Sequence, residues 1–213
     1  MVDFTIRNAR KEDLSIISKI HIEAFPNFFL SKLGCRFLKI YYNQYLVRNE
    51  VLLVSTDDND RPVGFIAGLN DSRGYYQALK KDWYKFIFSI SMAMLNYKLI
   101  ILCMRKVLSV LRFSAVNKEV VIYEKFHELT AIGVQPSCQG LGIGRMLLSE
   151  HVRKMSLAGN VEGIFLVTDH SDNKKVHNFY ESFGFVVSST FKQGKDRIMS
   201  VYMLNFKKLR PIL

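Results

Sequence analysis

The stretch that decides the fold runs from Leu129 to Leu148 and reads LTAIGVQPSCQGLGIGRMLL. Its first six residues are mostly apolar and favour a β-strand, which the polar and proline-containing residues around Pro136 bring to an end. Three closely spaced glycines follow, and an apolar pattern with helical spacing begins directly after them. The segment therefore predicts a strand, a glycine turn and a helix.

A turn of this kind can hold an anion. Glycine lets the backbone turn tightly and lets a ligand approach it closely. The first N–H groups of the following helix have no acceptor within the helix, and the positive end of the helix dipole lies behind them. The stretch therefore predicts a site for a phosphate or a pyrophosphate.

The glycine spacing excludes two common phosphate-binding motifs. A Walker loop requires G-x-x-x-x-G-K-[ST], which no pair of glycines in this chain provides. A dinucleotide-binding fingerprint requires G-x-G-x-x-G, whereas Gly140, Gly142 and Gly144 are evenly spaced.

The loop instead resembles the acetyl-CoA pyrophosphate loop of the GNAT acetyltransferase superfamily, whose motif is [RQ]-x-x-G-x-[GA]. Gln139, Gly142 and Gly144 match that motif position by position. Residues 172–185, DNKKVHNFYESFGF, resemble the second motif of the family, N-x-x-[AV]-x-x-[FL]-Y-x-x-x-G-F. The two motifs in this order are a specific signal. The aromatic stretch from Phe28 to Tyr42 also resembles a bacterial subgroup linked to surface-polysaccharide synthesis.

The resemblance implies an α/β (α+β) fold, with a central mixed, mostly antiparallel sheet of six or seven strands flanked by helices. The residue patterns agree with that order of elements and predict, among others, a helix over residues 31–47 and a hairpin over residues 50–69. A length of 213 residues favours a single domain over residues 1–213.

Residues 73–118 depart from the compact family pattern, because they form a long insertion between the third and fourth strands. They are predicted to be helical, and they hold nine basic residues against one acidic residue, out of a net charge of +11 for the chain. Their longest uncharged run has twelve residues, whereas a membrane span needs about 20. Two interpretations stay open: a cover of the acceptor site or a homodimer contact, and peripheral docking on an anionic membrane.

Two residues are candidates for catalysis. By resemblance, Tyr180 is the general acid that protonates the leaving thiolate, and a phenol with a pKa of about 10 is protonated at neutral pH. The alternative is a helix tyrosine packed under Phe183 and Phe185. By the same resemblance, Glu128, eleven residues before Gln139 on the strand that leads into the loop, is the candidate base, and its alternative is a charged strand end in a salt bridge. Its neighbour His127 faces the opposite side of a regular strand.

The resemblance also assigns the residues that bind the co-substrate acetyl-CoA. The backbone of Ile132, Gly133 and Val134 pairs with the pantetheine arm, and Asn173 contacts the same arm. The pyrophosphate loop and the start of its helix comprise Gln139, Gly140, Leu141, Gly142, Ile143 and Gly144. Arg145 follows them and is a candidate for contact with the phosphates, with plain solvated surface as its alternative. No spacing of histidines and cysteines suggests a metal site.

The sequence therefore predicts an acetyl-CoA-dependent N-acetyltransferase that acts on a primary amine of a small molecule, with an amino sugar as the favoured acceptor. A protein or peptide amine is the alternative acceptor, and a non-catalytic, membrane-docking acyl-CoA-binding module is the alternative class. Nucleic-acid binding is disfavoured, because the positive charge is concentrated in one apolar segment. The start of the chain has no secretory pattern, which predicts a cytoplasmic protein, with attachment to the inner face of the membrane as the second choice.

Overall fold

A computed structural model describes residues 3–81, 125–171, 173–193 and 197–209, and these contain one seven-stranded sheet. The strand order is β1-β2-β3-β4-β5-β7-β6. β4 and β5 run parallel, and the other five pairs are antiparallel. The strands are β1 (Thr5–Asn8), β2 (Val51–Thr56), β3 (Pro62–Leu69), β4 (Phe126–Val134), β5 (Gly163–Asp169), β6 (Val186–Gln193) and β7 (Arg197–Asn205). The predicted mixed, mostly antiparallel sheet is confirmed.

Seven α-helices lie in the described residues. They are α1 (Leu14–Ala24), α2 (Phe29–Lys32), α3 (Gly34–Val47), α4 (Ser72–Lys81), α5 (Ile143–Ala158), α6 (Lys174–Glu181) and α7 (Phe206–Leu209). The helix predicted over residues 31–47 is in fact two helices, because the chain turns at Gly34, whose φ of 81° lies in the left-handed region that favours glycine.

The sheet has an apolar cluster on each face. On the first, called here the α1 face, α1 and α3 bury side chains such as Ile17, Leu38 and Tyr42 against Phe65 of β3. On the second, called the α5 face, α5 buries Leu147 and its neighbours against strands β3 to β5, and Tyr180 and Phe185 extend the cluster. Fully burying one such aliphatic side chain is worth roughly 1.5–3 kcal/mol.

α5 connects the two parallel strands, β4 and β5. Parallel neighbours need a crossover connection, and a helix packed on the sheet is the usual one. The helix ends at Gly159, whose φ of 69° provides the left-handed C-terminal cap. This crossover is the strand, turn and helix that the glycine-rich stretch predicts.

Only the first part of the predicted insertion can be compared with the structure. α4 covers residues 72–81 and is helical, while residues 82–118 of the insertion lie outside the described residues. The assignment of residues 1–213 to a single domain therefore stays a prediction. Across the part of the chain that the structure describes, no helix combines the length and the apolar character needed to cross a membrane.

Candidate active site

The two parallel strands separate near the middle of the sheet. β4 pairs with β5 only from Phe126 to Leu129, opposite residues 163–166. β5 continues to Asp169 as a partner of β7, and β4 continues to Val134 as a partner of β3. Val167, which follows the last residue of β5 that pairs with β4, is 42% exposed although β5 is an interior strand. A cleft therefore opens between β4 and β5.

A β-bulge in β4 marks the point where the strands separate. Ala131 pairs with Ala67 and Leu129 pairs with Gly68, so Thr130 is an extra residue without a partner in the ladder. Its hydroxyl donates to the carbonyl of Ala67 and accepts from Tyr45 Oη, both at 2.9 Å. A bulge bends its strand and is common beside active sites.

The predicted pyrophosphate loop lies where β4 ends. Gln139 donates through Nε2 to the carbonyl of Val134 at 3.4 Å, which ties the loop to the strand. Gly140 and Gly142 both have a φ of 82°, and a Cβ added at either would meet nothing within 4 Å. The glycines are therefore required by the backbone conformation, and the space beside them is open. Leu141 between them is 57% exposed.

The loop leads directly into α5. The side chain of Ile143 is fully buried in the α5 face, so it anchors the start of the helix and presents only its backbone N–H to the loop. The N–H of Met146 donates to the carbonyl of Gly142 at 3.0 Å. The N–H groups of the three residues before Met146 lie too early in the helix to have an acceptor within it. Open space, left-handed glycines and a helix N-terminus fit a pyrophosphate group.

Arg145 does not extend freely into the loop. Its guanidinium donates to Ser182 Oγ at 3.1 Å and lies 5.0 Å from the centre of the Phe183 ring. The side chain therefore connects the first turn of α5 to the end of α6.

Asn173 lies on the β5 side of the cleft. Its side-chain amide donates to Thr168 Oγ1 at 3.1 Å, and its carbonyl accepts from the backbone N–H groups of Val176 and His177. The residue thus connects the end of β5 to the start of α6.

Tyr180 is 7% exposed and belongs to the cluster on the α5 face. Its ring centre lies 5.2 Å from that of Phe179 and 5.6 Å from that of Phe185. Burial alone raises the pKa of its phenol well above the usual value. The structure therefore packs Tyr180 as a core residue and also keeps its phenol protonated, so that the two sequence interpretations are compatible.

Glu128 lies on the α1 face of the sheet, in β4, two residues before Thr130 of the bulge. Tyr76 Oη donates to Glu128 Oε1 at 3.1 Å, and Ser72 also hydrogen-bonds the carboxyl group. Burial raises the pKa of Glu128, and the two hydrogen bonds oppose that rise. No salt bridge is formed by Glu128 with the described residues.

His127 faces the opposite side, as strand geometry predicts. It is fully buried, its Nδ1 lies 3.1 Å from Asn70 Oδ1, and its ring centre lies 4.8 Å from that of His151 on α5. Burial lowers the pKa of His127 to about 3, so the ring is neutral. His127 therefore belongs to the packing between sheet and helix.

The surroundings of Glu128 could not be found from motifs. α3 and α4 bring five tyrosines to this side of the sheet, with Tyr41 Oη 3.0 Å from Tyr45 Oη and the ring of Tyr75 packed 5.1 Å from that of Tyr45. The available signal was helical spacing, since Ser72 and Tyr76 are one turn apart, as are Tyr41 and Tyr45. No group of three metal-ligating side chains occurs in the part of the chain that is described.

The family model for the acetyltransferase (GNAT) family matches residues 16–185. The chain belongs to the GNAT acetyltransferase family. It is an acyltransferase, and the resemblance based on Gln139 to Gly144 and on residues 172–185 is confirmed. A comparison with curated proteins finds no match.

Solved structures with this fold are distant in sequence. A GNAT-family acetyltransferase from Desulfovibrio desulfuricans is 17% identical with a TM-score of 0.61, over 96% of this chain and 99% of that one. The acetyltransferase yncA from Salmonella typhimurium, solved with acetyl-CoA, is 18% identical with a TM-score of 0.58, over 95% and 93%. The spermidine/spermine N-acetyltransferase SpeG from Vibrio cholerae is 17% identical with a TM-score of 0.57, over 99% of both chains. At these identities the similarity concerns the GNAT fold alone.

Proposed function

We propose that this GNAT protein transfers an acetyl group from acetyl-CoA to a primary amine of a small molecule, directly and within a ternary complex. One observation carries the proposal. The cleft between β4 and β5 has a glycine loop and helix N-terminus at its end, a protonated phenol on the α5 side and a carboxyl group on the α1 side. Cofactor and amine can therefore approach each other from the two faces of the sheet.

The chain's own groups suit the binding of the co-substrate, which supplies a thioester-activated acetyl group when bound. The N–H groups of Gly142 to Arg145 suit the pyrophosphate. The edge of β4 that β5 leaves unpaired suits the amide groups of the pantetheine arm, and it includes Ile132, Gly133 and Val134. Asn173, held at the start of α6, is placed to contact the same arm.

Two side chains suit the proton transfers. An ammonium is not a nucleophile, so a base must remove its proton, and a buried carboxylate such as Glu128 has its pKa raised towards the working range of a base. A departing thiolate needs a proton, which the protonated phenol of Tyr180 can donate.

For the acceptor, we favour a small amine that carries negative charge elsewhere, such as a phosphorylated amino sugar. The chain has a net charge of +11, which attracts anions and repels polycations over distances of about a Debye length. The same charge argues against a polyamine acceptor. A protein amine stays the alternative acceptor.

A panel of amines tests these assignments. Glucosamine, glucosamine 6-phosphate, spermidine and a lysine-containing peptide are incubated with acetyl-CoA, CoA release is followed, and the products are weighed by mass spectrometry. We expect the phosphorylated amino sugar to give the highest kcat/KM, with a mass gain of one acetyl group on its amine. Faster turnover of spermidine or of the peptide would contradict the acceptor class, and acetyl-CoA consumption with no acetylated amine would contradict the reaction.

The insertion contributes its first helix, α4, to the proposed acceptor site. α4 contacts Glu128, which favours a role at the acceptor site over membrane docking for at least this part of residues 73–118. Co-sedimentation with anionic and with neutral vesicles separates the two roles. Salt-sensitive binding to anionic vesicles alone would favour peripheral docking, while sedimentation-velocity measurements test the homodimer.

A further inference from the structure

α4 is fixed in place by residues next to those that contact Glu128. Asp71 caps its first turn, since the N–H of Gly74 donates to Asp71 Oδ1 at 2.8 Å. Tyr75 is 1% exposed and packs against Tyr41 and Tyr45 of α3, with ring centres 6.3 and 5.1 Å away. The helix therefore cannot rotate without disrupting the core of the α1 face.

This anchoring directs two donors at a single carboxyl group. Ser72 and Tyr76 are four residues apart and so lie on the same side of α4. Both hydrogen-bond Glu128, the phenol through Oε1 at 3.1 Å. Tyr76 and Glu128 are 52 positions apart in the chain, so only the fold brings them together.

We propose that Tyr76, assisted by Ser72, is a positioning residue that holds Glu128 ionised and turns its remaining lone pairs towards the acceptor amine. The inference rests on the proposed function, in which Glu128 is the base. It also gives the long β3–β4 connection a role in catalysis, because its first helix forms one wall of the acceptor site.

The surrounding charges support this role. Among the described residues no cation contributes to the pKa of Glu128, so neutral donors are what oppose the effect of burial. Within the described part of the chain, the titratable groups that face Glu128 are Tyr76 from α4 and Tyr41 from α3. Burial and the charge of Glu128 raise the pKa of Tyr76 well above its usual value and that of Tyr41 to about 12. Both phenols therefore stay protonated, and Tyr76 stays a donor.

Loss of the hydrogen bond from Tyr76 should shift the pH profile of kcat/KM. A hydrogen bond to the charged form of a carboxyl group lowers its pKa, so its loss raises the pKa of Glu128. Since only the ionised carboxylate accepts a proton, the acid limb of kcat/KM then moves to higher pH while the plateau is retained. A purely structural role for Tyr76 would lower the plateau or the stability and leave the limb in place.

The test uses Tyr76→Phe in the full chain, with Ser72→Ala as a second variant and Tyr75→Phe as the matched control. Tyr75 lies on the same helix but donates to the carbonyl of Tyr41, at 3.4 Å, and not to Glu128. Two quantities are measured: the pKa of Glu128 from the ¹³C shift of its carboxyl carbon, without acceptor, and the pH profile of kcat/KM with the fastest amine of the panel.

We expect both quantities to rise by about one pH unit in Tyr76→Phe, by at least as much in Ser72→Ala, and not at all in Tyr75→Phe. At a pH below the limb this is about a tenfold loss of kcat/KM. An unchanged pKa of Glu128 in Tyr76→Phe overturns the inference. A raised pKa without movement of the kinetic limb overturns it differently, because Tyr76 then tunes Glu128 but Glu128 is not the base, and the proposed function itself is wrong on that point.

Discussion

The two sides of the cleft are built by different means. On the α5 face the loop is made of backbone: two left-handed glycines, a helix N-terminus and a strand edge that β5 leaves unpaired. On the α1 face the site is made of side chains, with Glu128 held by hydroxyl groups from α4. A backbone site is set by a few residue types at fixed spacing, whereas a side-chain site depends on which helices the fold brings together.

This difference has a chemical reason. Every molecule of acetyl-CoA has the same pyrophosphate and pantetheine, so one backbone arrangement can bind it whatever the acceptor is. The acceptor side of this chain instead uses the start of the β3–β4 connection, where Tyr76 contacts Glu128. The two sides should therefore be independent, so that a substitution on one side leaves the function of the other side unchanged.

The largest effect is expected from Gly142→Val on the backbone side. A valine would need a φ of 82°, which is strongly disfavoured for a β-branched residue, and its side chain would fill space that the phosphate needs. We expect the affinity for acetyl-CoA, measured by calorimetry, to fall at least about a thousandfold, which corresponds to roughly 4 kcal/mol.

Gly159→Val is the matched control, because Gly159 also has a positive φ, of 69°, but lies at the other end of α5. Gly159→Val should lower the free energy of unfolding without lowering the affinity for acetyl-CoA. Gly144→Val should also abolish binding of acetyl-CoA. A Cβ there would meet Phe179 and Val134 only at 3.9 Å, an ordinary contact, so the protein should still fold. A folded Gly142→Val protein that binds acetyl-CoA normally would contradict the loop assignment.

The next effect is expected from Glu128→Gln on the side-chain side. Loss of a positioned base should reduce kcat/KM at neutral pH by about 10² to 10³. The deficit should shrink at high pH, where the amine is already neutral. Because burial raises the pKa of Glu128, the wild-type rate should rise with pH through an acid limb that the variant lacks.

Affinity for acetyl-CoA should be unchanged in Glu128→Gln. That result would show that the two sides of the cleft can be altered independently. Glu12→Gln, an exposed carboxylate in the 3₁₀ turn Lys11–Asp13, is the control for loss of one negative charge. Full activity of Glu128→Gln at neutral pH would show that another group takes the proton, and Asp169 and Glu23 would be examined next.

Tyr180→Phe should lower kcat by about 10² and leave the affinity for acetyl-CoA largely intact, because the ring still fills the core against Phe185. Tyr202→Phe removes a second phenol from the same cluster, one that is hydrogen-bonded to His177 and Glu181. Steady-state kinetics of both variants separate the two effects. Equal losses in both would mean that packing of the cluster, and not proton donation by Tyr180, limits the rate.

The sequence was most informative where geometry restricts the residue type. Gly140, Gly142 and Gly159 could be located because left-handed backbone strongly favours glycine, and the order of strands and helices followed from apolar periodicity. The role of Gly34 was missed, since the same property ends α2 inside what looked like a continuous helical pattern.

The acceptor side could not be predicted in the same way. Glu128 was found through the family motif, but its partners Ser72 and Tyr76 lie in a segment that no motif covers. Nothing in local spacing shows that α4 packs beside β4, because that contact depends on how Tyr75 fits the tyrosines of α3. Long-range packing of this kind is set by shape, which a single sequence does not display.

The smallest effect is expected from Arg145→Ala, and it tests how far the backbone loop depends on side chains. The guanidinium already contacts Ser182 Oγ and the Phe183 ring. It can therefore attract a phosphate through its charge but is not positioned to hydrogen-bond one. An exposed charge of this kind contributes about 0.2–1 kcal/mol. We therefore expect the Kd for acetyl-CoA to rise about two- to fivefold in low salt, with the difference fading as salt is added.

Arg153→Ala is the control on the same helix, because Arg153 is exposed and pairs with Glu150 at 2.7 Å, about two turns beyond the loop. It removes the same charge from α5 and should leave the Kd unchanged at every salt concentration. A loss above about thirtyfold in Arg145→Ala would exceed what a screened surface charge can contribute. The arginine would then have to leave Ser182 and bind the pyrophosphate directly, and the cofactor side would rely on a side chain as the acceptor side does.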